Sequence, residues 1–276
     1  MASSNIARAS DTASLPVAER ADLRFSVACA VAREAGALAR RRFNGRPGTA
    51  GIKLKGHQDY LSAVDAEVEN LIRMRLLDSF PEDAFFGEEG GGSFDRDVWV
   101  VDPIDGTANF VRGISQFCIS IAYVRDGRTQ IGIIYDPMHD ELFASERNRG
   151  ATLNGEPIRV SGLADMQSAT IEAGWSTRLP LTRYVELVDR ILADGAGVRR
   201  GGSGALALAY VAAGRIDGYC ELHMNSWDAL AGLLLIEEAG GWANDFLADA
   251  GLRDGNIVLG CTSGLKDSLV KAMGMT

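Results

Sequence analysis

The stretch that most constrains this chain is Val98–Phe110, which reads VWVVDPIDGTANF. Its apolar beginning predicts a short buried strand. Asp102 follows that strand at once, and Asp105 comes three residues later. A protein core does not tolerate unpaired carboxylates, whereas hard cations such as Mg²⁺ are bound through oxygen ligands. The stretch therefore predicts a cation site at the end of a buried strand.

The next two residues favour a phosphate group beside that cation. Gly106 lets the backbone approach a ligand closely. Thr107 brings a hydroxyl and an N–H group to a point where a helix could begin, and free N–H groups at a helix start attract phosphate. Taken alone, Asp105-Gly106 is also typical of an ordinary turn.

Three further acidic residues stand at the edges of predicted elements. Asp65 begins a helix predicted over residues 64–79, where an acid interacts favourably with the helix dipole. Glu88 lies in a Gly-Glu-Glu sequence after a short apolar run, which alone would be an exposed loop. Asp228 follows Trp227 at the start of another predicted helix and could cap it. Each position has an ordinary structural explanation when it is considered by itself.

Taken together and in this order, these stretches resemble the inositol monophosphatase family of Mg²⁺-dependent, lithium-sensitive phosphatases. The resemblance covers about residues 20–272 and is carried most strongly by the DPIDGT and WDALAG sequences. It implies that roughly two to three Mg²⁺ ions bind at the site. The implied metal ligands are Glu88, Asp102, the Ile104 carbonyl, Asp105 and Asp228.

The resemblance also implies roles in catalysis and in substrate binding. Asp65 and Thr107 would orient and deprotonate an attacking water molecule, and Glu88 would act in catalysis through its metal. The amides of Gly106 and Thr107 would hold the phosphate. Lys55 is the candidate match for a lysine of the family. The implied contacts to the substrate and its phosphate are Asp105, Gly106, Thr107, Gly204, Glu221 and Asp228.

The expected substrate is inositol-1-phosphate or a similar small phosphorylated polyol. Glu221 lies seven residues before Asp228, where family members that act on inositol phosphates place a glutamate that contacts a ring hydroxyl. Gly204 stands where many of them have alanine. Histidinol phosphate, fructose-1,6-bisphosphate and 3′-phosphonucleotides remain open as substrates, since relatives hydrolyse all of these. A regulatory binding protein with weak catalysis is the alternative from another functional class.

The spacing of Asp102 and Asp105 excludes another class of phosphatase. Haloacid-dehalogenase-type enzymes carry D-x-D-x-[TV] and use the first aspartate as a nucleophile, whereas the two aspartates here are three residues apart. The resemblance implies no covalent nucleophile. We therefore expect direct transfer of the phosphoryl group to water, which yields inorganic phosphate and an alcohol.

The composition argues against several kinds of partner. The chain of 276 residues has a formal net charge of −9, which argues against nucleic acid or an anionic membrane as the main partner. No apolar run approaches the ~20 residues of a membrane span, and residues 1–18 lack the apolar region of a secretory signal. We therefore expect a cytoplasmic protein with a mobile tail at residues 1–18.

The cysteines and histidines argue against zinc and disulfide sites. The four cysteines are scattered without a CxxC pair, which is typical of reduced, buried thiols. The three histidines form no HExxH sequence, which argues against a histidine-based zinc enzyme. The cysteines are Cys29, Cys118, Cys220 and Cys261.

Helices are predicted to dominate the beginning of the chain. Helical periodicity indicates a long helix over residues 19–43 and a second over residues 64–79. The first helix ends in three arginines at positions 40–42, which we interpret as a solvated helix end rather than a phosphate site. Residues 53–65 are predicted to form a loop, and residues 90–93 a flexible turn.

Strands are predicted to dominate the middle of the chain. Two-residue turn signals separate apolar runs at 116–124, 129–135 and 141–146. This spacing predicts antiparallel hairpins, because parallel strands need a long crossover. The pattern does not match the alternating strands and helices of a Rossmann fold, and no nucleotide-binding glycine motif follows a strand.

The later chain is predicted to form a second α/β half. The predicted elements are a helix over about 205–213 with Ser203 as N-cap, a strand over 216–222, a helix from Asn225, a strand over 257–259 and a last helix from Leu265. The resemblance implies a layered αβαβα sandwich of the inositol monophosphatase and fructose bisphosphatase type. Its halves, residues 19–160 and 161–276, would form one catalytic unit with the active site between them. Relatives are often homodimers, and we expect the same here.

Overall fold

Helices and sheets stack in five layers, in the order helix, sheet, helix, sheet, helix. The computed structural model describes residues 17–45, 53–56, 59–61 and 63–275. The helices are α1 Val17–Asn44, α2 Ala63–Ser79, α3 Thr107–Arg112, α4 Leu181–Ala193, α5 Gly204–Ala212, α6 Ser226–Glu238, α7 Gly251–Asp254 and α8 Lys266–Met273. The strands are β1 Lys53–Gly56, β2 Asp59–Leu61, β3 Ala84–Gly87, β4 Gly91–Gly92, β5 Asp97–Asp105, β6 Cys118–Arg125, β7 Arg128–Asp136, β8 Glu141–Glu146, β9 Ala151–Leu153, β10 Glu156–Pro157, β11 Thr170–Ala173, β12 Gly197–Arg199, β13 Gly218–Met224, β14 Trp242–Ala243 and β15 Asn256–Cys261.

The first sheet contains eight strands in the order β10-β9-β8-β7-β6-β5-β3-β4. From β5 to β10, each strand runs antiparallel to the next one along the chain. Asp126 and Gly127, between β6 and β7, have positive φ angles of 50° and 69°, as a tight hairpin turn requires. The predicted antiparallel hairpins are therefore confirmed.

Both faces of the first sheet are buried, which explains why its central strands are apolar along their length. Side chains alternate between the faces along β5. Trp99 and Val101 pack with α1 and α2, whereas Val98 and Val100 pack with α5 and α6. The short strand predicted from this apolar run is confirmed, and it extends from Asp97 to Asp105.

The second sheet contains five strands in the order β12-β11-β13-β15-β14. One face packs on α5 and α6 through Tyr219, Met224 and Val258. The other face packs on α4 and α8, where Ile171 and Leu259 meet apolar side chains of both helices. Since α5 and α6 thus form the middle layer, the predicted αβαβα sandwich is confirmed. The division into halves near residue 160 stays a prediction.

Two segments predicted to be irregular contain strands. Within residues 53–65, β1 pairs with β2 in antiparallel register, so the loop prediction is wrong there. Within residues 90–93, β4 pairs with β3, so the prediction of a flexible turn is also wrong. Gly92 has a φ of 147°, and a Cβ atom there would overlap the carbonyl oxygen of Phe85. Glycine therefore permits this pairing, although a glycine-rich tract has low strand propensity.

Three predictions concern the beginning of the chain, the exposed end of α1 and membrane-spanning helices. The tail predicted for residues 1–18 lies outside them, except that Val17 and Ala18 begin α1. At the end of α1, exposed Arg42 pairs with Glu67 at 2.6 Å, in agreement with a solvated helix end. None of the described helices combines the length and apolar character that a membrane span needs.

All four cysteines are free thiols. The predicted burial is confirmed for Cys118, Cys220 and Cys261, whereas Cys29 in α1 is only partly buried. Burial nevertheless raises the pKa of the Cys29 thiol to about 11.

We expect Gly132→Ala to weaken the contact between the first sheet and the middle layer. A Cβ atom at this position in β7 would lie 2.5 Å from the carbonyl oxygen of Ala231 in α6, so the strand and the helix would have to separate. Overpacking of this kind costs about 1–3 kcal/mol and should lower the midpoint of thermal unfolding. The matched control is Gly197→Ala in β12, where the nearest atom lies 3.7 Å away. Equal midpoints for the two variants would contradict this account of the packing.

Candidate metal centre and active-site cleft

An irregularity at the end of β5 brings two aspartates to one edge of the first sheet. Asp102 is paired with Ser120 and Asp105 with Cys118, so three steps along β5 face two steps along β6. In a regular strand, residues three apart point to opposite faces, and a bulge re-aims such side chains. Asp102 and Asp105 are only 2% and 8% exposed. The bulge therefore lets two buried carboxylates contribute to the same site.

Two other elements bring acidic side chains to this edge. Asp228 comes from the first turn of α6, and one carboxylate oxygen from each of the three aspartates lies within 4.8 Å of the others. Glu88 follows β3, which runs parallel to β5, so that both strands end at the same edge. The backbone N–H of Glu88 donates to the carbonyl oxygen of Val101 at 3.1 Å. Four acidic residues predicted as metal ligands thus come from three separate segments.

Burial and neighbouring negative charges raise the pKa of Asp102 and of Asp228. Burial raises the pKa of Asp102 well above its usual value, and the negative charges of Glu88, Asp228 and Asp105 raise it further. Burial, followed by the charge of Asp105, raises the pKa of Asp228 to about 7. A divalent cation would offset this repulsion, because it binds carboxylates in their ionised form. A donor set made only of oxygen atoms fits a hard cation such as Mg²⁺.

Asp105 also holds the beginning of α5. Its Oδ2 atom accepts hydrogen bonds from Ser203 Oγ at 2.5 Å and from the Ala205 N–H at 2.8 Å. The Gly204 N–H donates to Oδ1 at 3.3 Å. A carboxylate at this place satisfies amides that have no acceptor within the helix. Asp105 therefore links the first sheet to the middle layer.

The same contacts correct the prediction made for Ser203. The residue does occupy the N-cap position of α5, but its side chain makes no capping hydrogen bond. Its hydroxyl donates to Asp105 instead. A carboxylate from a distant strand thus replaces the local cap that the sequence pattern indicated.

The hydroxyl of Thr107 lies between two oxygen acceptors. Thr107 Oγ1 is 3.0 Å from Asp65 Oδ1 and 3.0 Å from the carbonyl oxygen of Ile104. Asp65 is fully buried in the first turn of α2. A hydroxyl group has one proton to donate and lone pairs that accept one. Thr107 can therefore take a proton from a nearby water molecule while it passes its own proton towards Asp65.

Gly106 connects this hydroxyl to the aspartates. It lies between β5 and α3 with a φ of 95°, in the left-handed region. A Cβ atom there would lie 3.0 Å from the Gln116 carbonyl oxygen and 3.2 Å from Ser203 Cβ. Glycine is thus required both for the backbone conformation and for the close approach of the loop before α5.

The acidic cluster lies in a cleft of about 510 Å³ whose lining includes Glu88, Asp105 and Asp228. Glu221 lines the same cleft and accepts a hydrogen bond of 2.6 Å from the hydroxyl of Tyr219. Burial raises the pKa of Glu221 to about 8. The cleft therefore combines the cluster with a further carboxyl group at a position predicted to contact the substrate.

The other residues predicted to bind substrate lie along two neighbouring cavities and in β1. Gly204 lines the same cleft. A Cβ atom there would overlap the end of the Met224 side chain and lie 2.8 Å from the Tyr219 hydroxyl oxygen, so an alanine would require both side chains to shift. Gly106 and Thr107 line a neighbouring cavity of about 680 Å³. Lys55 lies in β1, but its side chain is outside the described part of the structure.

The model of the inositol monophosphatase family matches residues 21–272. The chain belongs to the inositol monophosphatase family. The resemblance predicted from the four acidic stretches is thereby confirmed.

Relatives within this family carry two kinds of name. The chain is 38% identical over 255 residues to a protein of Escherichia coli K12 named Nus factor SuhB, covering 90% of this chain and 93% of that protein. It is 42% identical over 217 residues to the inositol-1-monophosphatase of Rhizobium meliloti, covering 76% of this chain and 81% of that protein. The solved structure of extragenic suppressor protein SuhB from Bartonella henselae has a TM-score of 0.83 at 33% identity and covers 90% of this chain and 97% of that one. Both sequence and fold therefore support membership of the family.

Sequence reasoning missed two buried polar residues that hold the loop before α5 in this member of the inositol monophosphatase family. Glu172 in β11 accepts a hydrogen bond from the Gly201 N–H at 2.6 Å and pairs with Arg199 at 3.0 Å. Asn109 Nδ2 donates to the carbonyl oxygens of Gly201 at 2.9 Å and Gln116 at 2.7 Å. The available signal was an acid within an apolar strand and an amide two residues after the DPIDGT sequence.

We expect Asp102→Asn to stabilise the metal-free protein, and to do so more at high pH. Because the pKa of Asp102 is raised in the folded state, its contribution to stability is present at low pH and is lost as the pH rises through the folded value. The amide that replaces it does not titrate. In EDTA, removal of the Asp102 charge should raise the free energy of unfolding by about 1 kcal/mol, which corresponds to a rise of about 2–4 °C in the unfolding midpoint. The rise should be larger at about pH 8.5 than at about pH 5.5.

Added Mg²⁺ should reverse this order, since a ligand stabilises the state that binds it. The wild-type midpoint should rise with Mg²⁺, and that of Asp102→Asn should rise less. The matched control is Asp245→Asn, which removes the same charge from an exposed position. An equal response to Mg²⁺ in all three proteins would argue against a metal site at Asp102.

Proposed function

We propose that this protein is a Mg²⁺-dependent phosphomonoester hydrolase that acts on inositol-1-phosphate. The observation that carries the proposal is the cluster of Asp102, Asp105 and Asp228, in which one carboxylate oxygen of each residue lies within 4.8 Å of the others. Asp105 and Asp228 line the cleft. The family is Mg²⁺-dependent. In this proposal, roughly two to three Mg²⁺ ions are held by Glu88, Asp102, the Ile104 carbonyl, Asp105 and Asp228.

Residues of the chain would transfer protons and bind the phosphate during hydrolysis. When bound, Mg²⁺ would supply positive charge that neutralises the carboxylates and the phosphate and makes a water molecule more acidic. Thr107 would accept a proton from the attacking water, and Asp65, 3.0 Å from the Thr107 hydroxyl, would receive the threonine's own proton. The Gly106 and Thr107 amides would hold phosphoryl oxygens. The water oxygen would bond to phosphorus as the bond to the ester oxygen breaks, and the leaving ester oxygen would take a proton from solvent water to become an alcohol.

The choice of a polyol ester rests on Glu221. This carboxyl group lines the cleft with Asp105, Gly204 and Asp228, and a carboxylate accepts hydrogen bonds from hydroxyl groups. The Tyr219 hydroxyl fixes one of its oxygens at 2.6 Å and leaves the other for a ring hydroxyl of the substrate. The name of the Rhizobium meliloti relative supports the same substrate. Histidinol phosphate, fructose-1,6-bisphosphate and 3′-phosphonucleotides are the alternatives on the same chemistry.

A second candidate function is regulatory. It is favoured by the similarity to the Escherichia coli protein named Nus factor SuhB. In that case the fold would serve mainly as a binding partner, and catalysis would be weak. The proposal of a phosphatase also includes a cytoplasmic location, a homodimer and inhibition by lithium, which stay predictions.

We expect Mg²⁺-dependent phosphate release to be fastest, by kcat/KM, with inositol-1-phosphate. The comparison panel is histidinol phosphate, fructose-1,6-bisphosphate and 3′-phosphoadenosine 5′-phosphate, each with Mg²⁺ and with EDTA. Asp102→Asn should reduce turnover by at least ~10²-fold, as expected when one electrostatic group of an active site is removed. Asp245→Asn serves as the control and should retain wild-type turnover. Preference for another ester would overturn the assignment of inositol-1-phosphate as the substrate. If none of the esters is hydrolysed, the regulatory function would be favoured.

We expect Glu221→Gln to impair polyol recognition selectively. At about pH 9, above the pKa of about 8 that burial gives Glu221, the group is a carboxylate, and hydrogen bonds to charged groups contribute about 1.5–3 kcal/mol. This corresponds to about 10- to 150-fold in kcat/KM for inositol-1-phosphate at that pH. With p-nitrophenyl phosphate, which has no ring hydroxyl groups, kcat/KM should change little. Steady-state kinetics with both esters measures the difference. Equal losses of kcat/KM for the two esters would mean that Glu221 does not bind the polyol hydroxyl groups.

A further inference from the structure

Glu69 is a buried carboxylate close to the candidate metal centre but without an assigned role. It lies one helical turn after Asp65 in α2 and is 2% exposed. Its Oε2 atom accepts a hydrogen bond from the Glu89 N–H at 2.8 Å, and its Oε1 atom accepts one from the Gly90 N–H at 2.8 Å. Both oxygens of one carboxylate are thus directed at consecutive amides just after Glu88.

The glycines on either side of Glu88-Glu89 fit this arrangement. A Cβ atom at Gly87 would overlap Glu69 Oε2, and one at Gly90 would lie 2.6 Å from Glu69 Oε1. The loop can therefore rest on the carboxylate only because both positions lack a side chain. The two glycines of the Gly-Glu-Glu-Gly sequence thus make room for the buried Glu69 carboxylate on α2.

Arg73 holds the same loop from its carbonyl side. Its Nη2 atom lies 3.1 Å from Glu69 Oε1 and donates to the Gly91 carbonyl oxygen at 3.0 Å. The guanidinium also stacks on the Phe85 ring, with 4.1 Å from its central carbon to the ring centre. The loop is therefore attached to α2 by one acidic and one basic side chain.

These contacts leave the backbone around Glu88 little freedom. The Glu88 N–H is bound to the Val101 carbonyl oxygen in β5 at 3.1 Å, and the next two N–H groups are bound to Glu69. The Glu88 side chain lines the same cleft as Asp105 and Asp228. Hydrogen bonds with one ionised partner are shorter and stronger than neutral ones, so Glu69 restrains this loop more firmly than a neutral acceptor would.

We propose that Glu69 is a positioning residue that holds Glu88 in the direction required for Mg²⁺ binding. The inference rests on the proposed metal-dependent function. It makes α2 a common support, with Asp65 placed at the Thr107 hydroxyl and Glu69 at the loop that carries Glu88. Glu69 itself contacts neither substrate nor metal.

The test is Mg²⁺ binding by isothermal titration calorimetry on the full chain carrying Glu69→Gln. The substituted amide keeps one acceptor oxygen but turns its NH₂ group towards the other backbone N–H, so one of the two hydrogen bonds is lost while the size is kept. We expect the Kd for Mg²⁺ to rise about 10-fold. The matched control is Glu67→Gln on the same helix, whose exposed partner is Arg42 at 2.6 Å, and its Kd should stay within about 2-fold of wild type.

A double-mutant cycle separates positioning from general stabilisation. If Glu69 acts through Glu88, adding Glu69→Gln to Glu88→Gln should not weaken Mg²⁺ binding further. Independent, multiplicative losses would overturn the proposal. Should Glu69→Gln fail to fold in a thermal-unfolding control, Arg73→Gln replaces it in the cycle. That variant removes the ion pair but leaves both amide contacts, and we expect a rise of about 2- to 3-fold in Kd that is again absent in the Glu88→Gln background.

Phosphate release measured in parallel distinguishes the two proposals. A wild-type protein that binds Mg²⁺ but hydrolyses none of the esters would overturn the proposed function, while the binding cycle would still decide the role of Glu69. An active wild type with an unchanged Kd in Glu69→Gln would overturn only the role of Glu69. Absence of Mg²⁺ binding by the wild type would overturn both.

Discussion

The mutual repulsion of the carboxylates that cluster at the end of β5 is the constraint on which the rest of the site depends. Asp102, Asp105 and Asp228 approach within 4.8 Å, and burial together with this proximity opposes their ionisation. Such a cluster is unfavourable in isolation and becomes favourable when a cation shares its oxygen atoms. The same proximity that opposes the ionisation of these groups thus makes the cluster able to hold a hard metal ion.

The surrounding fold keeps these groups together against their repulsion. The bulge in β5 turns two aspartates to the same site, and the first turn of α6 brings Asp228. Asp105 is anchored by the amides and the serine hydroxyl at the start of α5. Glu88 is carried by a loop whose amides are bound to Glu69. Hydrogen bonds therefore hold the Asp105 side chain and the loop that carries Glu88 in place.

Much of the fold could be predicted from local patterns. The apolar run at 98–101 and the two-residue turns that follow it predicted a buried strand and antiparallel hairpins, because side-chain periodicity and turn chemistry are local properties. The same reasoning failed within 53–65 and 90–93, where β1–β2 and β3–β4 pair despite low strand propensity. Each pair is stabilised by backbone hydrogen bonds between its strands, and the amino-acid composition of a strand does not predict those bonds.

The sequence by itself determined the family, the layered fold and the set of acidic residues that gather in the cleft, since these follow from motifs in a fixed order. Only the tertiary structure decided how each is held. It showed that Ser203 donates to Asp105 instead of capping α5, and that Glu69 and Glu172 bind backbone amides distant in the chain. The physical reason is that periodicity and propensity depend on neighbours along the chain, whereas the partner of a buried polar group is chosen by the packing of segments far apart in sequence.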